Sequence, residues 1–209
     1  KLTYAREHLT ELFGRKYPKY FRKQHVNYYH ESSPEEVALI NYTSGTTGFS
    51  KGVMIPYRAL WGNLDFANHV LGKHLKAGDN VVSILPMAHM YGMAFEFLYE
   101  FSAGIHIHFL TRMPTPTIIA QAFSEVKPAV VIAVPLVIEK IIRKKVFPKV
   151  QGSLMKMLRA TPIIKDKINA KICEQVLKAF GGNMYEIIVG GAAFNQDVEA
   201  FLKEIGFPY

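Results

Sequence analysis

Cysteine is nearly absent from this chain: Cys173 is the single one among 209 residues. No intrachain disulfide can form, which excludes a small cross-linked extracellular scaffold and makes a reducing cytoplasm the simplest setting. Long apolar runs are missing as well. The longest, Ala129 to Ile138, falls short of the roughly 20 residues a bilayer-spanning helix needs and is broken by Pro135. No secretory leader pattern is visible near Lys1. Acidic residues are the minority, 17 against 25 Lys and Arg, for a formal net charge of +8. That excess suits anionic partners, but it is spread along the chain, with short clusters at Arg15-Lys16, Arg22-Lys23 and Arg143-Lys144-Lys145. The last cluster is read as closing an apolar helix, where cations complement the dipole. No aromatic-interleaved basic stripe, finger or recognition-helix pattern occurs, so nucleic acid is not the expected partner. Internal repeats are also lacking.

What remains is a globular composition. With 49% hydrophobic and 12% aromatic residues, a chain of this length can bury roughly 70% of its unfolded surface. Apolar strands alternate with amphipathic helices from the glycine-rich segment 42–53 onward, the pattern of an α/β fold with a layered parallel sheet and helices on both faces. Strands are expected at 52–55, 81–85, 105–110, 129–134 and 185–189. Pro56 opens a helix, Thr115 and Asn195 cap two more, and Gly181-Gly182 end another. Ile118, Ala122 and Val126 are read as sharing one face of the Thr115 helix, with Ile119 and Phe123 beside them. Cys173 reads as core. The first 36 residues are aromatic, basic and poorly periodic, more like an arm or a severed helix than a domain; residues 37–209 form the expected main domain.

One segment carries most of the chemical information. Tyr42-Thr43-Ser44-Gly45-Thr46-Thr47-Gly48-Phe49-Ser50-Lys51-Gly52-Val53 follows the apolar run Val37-Ala38-Leu39-Ile40. Glycines let successive N–H groups turn toward phosphate oxygens, the hydroxyls add donors, and Lys51 adds a compact positive charge. Hydrogen bonds to a charged group contribute about 1.5–3 kcal/mol each, so three or four hold a polyphosphate against water. A Walker A loop needs Ser or Thr after Gly-Lys, and Ser50-Lys51-Gly52 does not supply it. A flexible linker has no need of this order of residues.

This segment resembles the phosphate-binding signature of the acyl-adenylate-forming (AMP-binding) superfamily, Tyr-Thr-Ser-Gly-(Ser/Thr)-Thr-Gly-x-Pro-Lys-Gly-Val, and departs from it only at Ser50. The missing Pro removes a φ restraint but no phosphate donor. The resemblance implies that Thr43, Ser44, Thr46, Thr47 and Lys51 hold the ATP phosphates, with Gly45 and Gly48 shaping the loop. Further segments follow in the family's order. Pro86 and His89 fit a Pro-x-x-His segment beside the acyl-carboxylate pocket, His89 lining the pocket or orienting the carboxylate rather than acting as a general base. Gly190-Gly191-Ala192, after the strand 185–189, fit a turn lying against the adenine and the acyl group. Val134 to Lys140, with Glu139-Lys140, and the run Gly190 to Phe207 are similar to long-chain fatty acyl-CoA synthetases. His106 and His108 alternate on one face of a strand but have no nearby Cys or carboxylate in sequence, and are read as structural.

The activity implied is that of a fatty acid–CoA ligase using ATP, Mg2+ and CoA, in the cytoplasm, with peripheral membrane contact compatible and acyl chain length and oligomeric state not fixed. Other acyl- or aryl-CoA ligases, adenylation domains and a non-catalytic nucleotide-binding module stay open. The family's later Tyr-Gly-x-Thr-Glu motif, with its Mg2+-holding carboxylate, and its catalytic lysine find no match in the 209 residues. An internal piece of a larger enzyme, with no metal ligand of its own and no turnover in isolation, is therefore the expectation.

Overall fold

The computed structural model describes residues 2–20, 33–43, 50–150, 152 and 162–209. The chain divides into two units, Lys1–Glu36 and Val37–Tyr209. In the first, α1 (Leu2–Glu7) and α2 (Leu9–Lys16) carry surface pairs at helical spacing, Tyr4 on His8 and Glu11 with Arg15, and α2 has no buried residue.

The second unit opens with β1 (Val37–Thr43) and β2 (Lys51–Pro56), an antiparallel pair in which Thr43 faces Lys51 and Val37 faces Pro56. The strand expected at 52–55 therefore pairs antiparallel, ahead of the parallel strands. A strand reversing through a short turn can only pair antiparallel, whereas parallel pairing needs a crossover. Pro56 then caps α3 (Tyr57–Leu71). The parallel part consists of β3 (Asn80–Ser83) with β4 (His106–Phe109), and β5 (Val130–Ala133) with β6 (Glu186–Val189). The Ala129 N–H donates to the Asn80 carbonyl at 2.8 Å, which brings the two pairs side by side in the order β4-β3-β5-β6.

Successive strand residues point to opposite faces, and the core divides accordingly. Val81 and Val130 join Ala67, Leu71 and Tyr99 on one side, while Val82 and Val131 join Phe123, Ile138, Val176 and Leu202 on the other. The second side is built by α6 (Pro116–Val126), α7 (Pro135–Ile141), α8 (Phe147–Val150), α9 (Pro162–Ala179) and α10 (Gln196–Glu204). Thr115 Oγ1 accepts from Ile118 N–H, and Asn195 accepts from the Asp197 and Val198 N–H groups, as their types predict. Gly181 and Gly182, at φ +97° and +78°, take the left-handed turn that stops α9.

On α6 the deepest residues are Ile119, Ala120 and Phe123, with Ile118, Ala122 and Val126 half-buried beside them. Two expectations shift. Arg143-Lys144-Lys145 do not end a helix: they lie in a π-helical turn, Ile142–Val146, which α8 continues to Val150. Cys173 is half-buried rather than core, its thiol facing the Gly206 carbonyl at 3.7 Å, and burial pushes its pKa up.

Candidate functional site

Parallel strands present their C-terminal ends to one edge of the sheet, the place where open α/β sheets take ligands. β3 ends at Ser83 and runs into Ile84 to His89; β6 ends at Val189 and runs into Gly190-Gly191-Ala192. The Gly190 N–H donates to the Ala133 carbonyl at 3.1 Å, so the glycine turn sits at the end of β5 as well. The β1–β2 hairpin joins this edge through Asn41, whose Nδ2 donates to the Ala88 carbonyl at 2.9 Å. Motifs far apart in sequence thus meet through two residues that the motif reading missed, Asn41 and Tyr91.

Tyr91 opens a helical stretch made of α4 (Met90–Gly92), a π-helical segment (Met93–Leu98) and α5 (Tyr99–Ser102). Its hydroxyl donates to the Ile188 carbonyl at 3.2 Å, and its ring lies so close to Gly190 that a Cβ there would come within 3.0 Å of it. Glycine at 190 thus leaves room for the Tyr91 ring. Gly191, at φ +85°, holds a left-handed conformation that disfavours other residues. Burial, then the charge of Glu96, pushes the Tyr91 phenol up to about 12, so it is a hydrogen-bond donor at neutral pH.

Thr43 and Lys51 are exposed and opposite one another at the mouth of the hairpin. Ser44, Gly45, Thr46, Thr47 and Gly48, the middle of the expected phosphate loop, lie outside the described residues. His89 is exposed at the N-terminus of α4, its N–H donating to the Pro86 carbonyl at 3.0 Å. Gly191 and Ala192 are exposed and Gly190 is half-buried. Glu139 accepts the Asn195 N–H at 3.0 Å, tying α7 to the far end of the glycine turn.

An apolar cavity of about 600 Å³ opens beside this edge, lined by Phe66, Val70, Tyr91, Phe95, Ile188 and Gly190 among others. Its walls suit a hydrocarbon, and its rim carries the glycine turn. His108 is exposed, its Nε2 lying 2.8 Å from Asn80 Oδ1 on the neighbouring strand. Among the described residues no group of three or more His, Cys, Asp or Glu stands together to hold a metal ion, and no step below is assigned to a metal held by them. No helix among them is long and apolar enough to cross a membrane.

Comparison with known proteins agrees with this layout. The model of one family, described as AMP-binding enzyme, matches residues 5–207. Long-chain-fatty-acid–CoA ligase 4 of Saccharomyces cerevisiae is 29% identical over 192 residues, covering 86% of this chain and 28% of the yeast protein. Long chain acyl-CoA synthetase 5 of Arabidopsis thaliana is 29% identical over 195 residues, covering 82% and 28%. The chain thus spans about 28% of the length of these relatives. Among solved structures, the o-succinylbenzoate coenzyme A synthetase of Bacillus subtilis in complex with ATP and magnesium ion superposes with TM-score 0.58 at 16% identity, over 84% of this chain and 29% of its own. A malonyl-CoA ligase complex with methylmalonyl-CoA and AMP bound gives TM-score 0.57 at 22% identity, over 85% and 32%. At these identities the likeness shows the fold: mixed α/β, with the parallel sheet and two covered faces described above.

Proposed function

The chain belongs to the AMP-binding enzyme family, and from that premise we propose that it forms the phosphate- and acyl-binding part of an AMP-forming fatty acid–CoA ligase. In this reading the segment from Thr43 to Lys51 holds the phosphates of ATP, which brings Mg2+ with it, and the cavity beside Tyr91 and Phe95 takes the acyl chain. His89 and the Gly190-Gly191-Ala192 turn lie between, at the carboxylate and the adenine.

The reaction has two steps. The acid's carboxylate oxygen attacks the α-phosphorus of ATP, forming acyl-AMP as pyrophosphate leaves; the CoA thiolate then attacks the acyl carbon and AMP leaves. A carboxylate is a poor acyl donor, and adenylation gives it a good leaving group. Charge accumulates on the phosphates, so catalysis of the first step rests on positioned donors and cations rather than on a protein nucleophile. Lys51 supplies the cation, and Thr43 and its neighbouring hydroxyls supply donors. His89 limits the directions from which the carboxylate can approach.

The observation that supports this most is the meeting of the hairpin, the His89 loop and the glycine turn at one sheet edge, beside an apolar cavity. The whole ligase reaction needs residues beyond the motifs carried here, so the 209-residue chain is expected to bind ATP without forming acyl-CoA. Peripheral membrane contact and a cytoplasmic setting belong to the same reading. The test is product analysis with the natural flanking sequence restored: acid-dependent release of AMP and pyrophosphate supports it. Release of ADP points to a phosphotransferase, and binding without acid-dependent exchange points to a nucleotide-binding module.

A further inference from the structure

We propose that Glu96 is a positioning residue for this site: its carboxyl group holds the end of β3 and so fixes the Pro86–His89 loop at the strand-end edge. The inference rests on the reading just given. Glu96 is 2% exposed, in the middle of the π-helical segment Met93–Leu98. Its Oε1 accepts the Ile84 N–H at 3.1 Å, and its Oε2 accepts both the Leu85 N–H at 2.8 Å and the Ser83 hydroxyl at 3.0 Å.

These three donors are the last residue of β3 and the first two beyond it. A strand that ends inside a protein leaves N–H groups without ladder partners, and each one left buried and unpaired costs about 1–3 kcal/mol. Glu96 takes the place of the missing strand. The loop begins immediately afterward, at Pro86, and His89 lies four residues past Leu85.

The close approach of helix and strand end has its own requirement. A Cβ at Gly92 would lie 2.9 Å from the Pro86 carbonyl oxygen and 3.0 Å from Leu85 Cβ, so only glycine lets the helical stretch come near enough for Glu96 to reach. Tyr91, one residue before, fastens the same stretch to the glycine turn through Ile188. A single helical segment therefore registers two ligand loops against each other, Glu96 on the carboxylate side and Tyr91 on the adenine side. π-helical turns interrupt α-helices at functional sites more often than elsewhere, because they re-aim a side chain without ending the helix.

A purely structural carboxyl would behave differently from a positioning one. Glutamine keeps the shape of the side chain and removes its ionisable proton. Its amide group, however, points N–H toward N–H donors where an oxygen stood. The experiment uses the 209-residue chain and compares wild type, Glu96→Gln and Ser83→Ala in thermal unfolding, ATP titration, titration of hexadecanoyl-sulfamoyl-adenosine as an acyl-adenylate analogue, and amide hydrogen exchange.

Glu96→Gln is expected to stay folded, to exchange faster at Ile84 and Leu85, and to bind the analogue about tenfold more weakly while ATP changes less than about twofold. Ser83→Ala, which removes one of the three bonds, is expected to weaken the analogue about threefold. Wild type binding both probes, with Glu96→Gln equal to it, overturns the inference alone. Wild type binding neither probe overturns the reading of the site and this inference with it. If Glu96→Gln does not fold, Ser83→Ala decides: unchanged affinity for the analogue overturns the proposal.

Discussion

Lys51 begins β2 directly opposite Thr43, so the turn between them has stems fixed by an antiparallel ladder. The proposed phosphate contacts are therefore testable one residue at a time. Replacing Lys51 by Ala removes one charge-assisted contact of about 1.5–3 kcal/mol, and ATP affinity is expected to fall about ten- to a hundredfold with little change in unfolding temperature. Isothermal titration checks it, and an unchanged affinity removes Lys51 from the site. Gly190→Ala tests a different contact. The added methyl meets the Tyr91 ring, and overpacking of this kind costs about 1–3 kcal/mol. Thermal unfolding should show that loss, together with weaker binding of an acyl-adenylate analogue; a variant as stable as wild type would show that Tyr91 moves aside freely.

The helical stretch from Met90 to Ser102 is where element-scale physics departs from ordinary packing. Glu100 is fully buried, neither of its oxygens has a hydrogen-bond partner among the described residues, and the same holds for the Tyr99 hydroxyl. Burial, then the charge of Glu96, pushes the Glu100 carboxyl from 4.5 up to about 8. Burial also raises Glu96 to about 7, against the pull of the Ile84, Leu85 and Ser83 hydrogen bonds. An acid whose pKa is higher folded than unfolded contributes its full stability below the unfolded value and loses it as pH climbs through the folded one. The free energy of unfolding should therefore fall from about pH 5 to about pH 9, by up to about 1.4 kcal/mol per pH unit for each group while it is protonated only in the folded state, and the unfolding temperature should fall with it. Glu100→Gln should flatten that fall and unfold higher than wild type near pH 9. Parallel pH profiles for the two proteins would contradict it.

The same stretch shows what a sequence can and cannot display. The caps at Thr115 and Asn195 and the stop at Gly181-Gly182 were readable, because each is a local choice of residue at a chain reversal. The phosphate segment, the Pro86–His89 loop and the glycine turn were readable as motifs, since each is contiguous. Asn41, Tyr91 and Glu96 were not, because their partners lie between 11 and 97 residues away. A faint signal existed for one of them: an acid at 96, with another at 100, in an otherwise apolar helix must be solvated, paired or neutral. The apolar stripe of α6 was readable, but periodicity does not say which of its edges lies deepest.

At the scale of the whole molecule, the two faces of the sheet have separate cores, and the proposed site lies at the strand ends between them. The chain covers about 28% of the length of its curated relatives, and the account assigns it binding rather than turnover. Acyl-CoA formed by the pure 209-residue chain from hexadecanoate, ATP and CoA would refute that assignment. The most direct measurement of the central claim is a crystal structure of the chain with a non-hydrolysable ATP analogue. The account predicts the triphosphate in the turn between Thr43 and Lys51, with the Lys51 ammonium on its oxygens and the adenosine toward Gly190. A triphosphate seated elsewhere, with that turn open and empty, would contradict it.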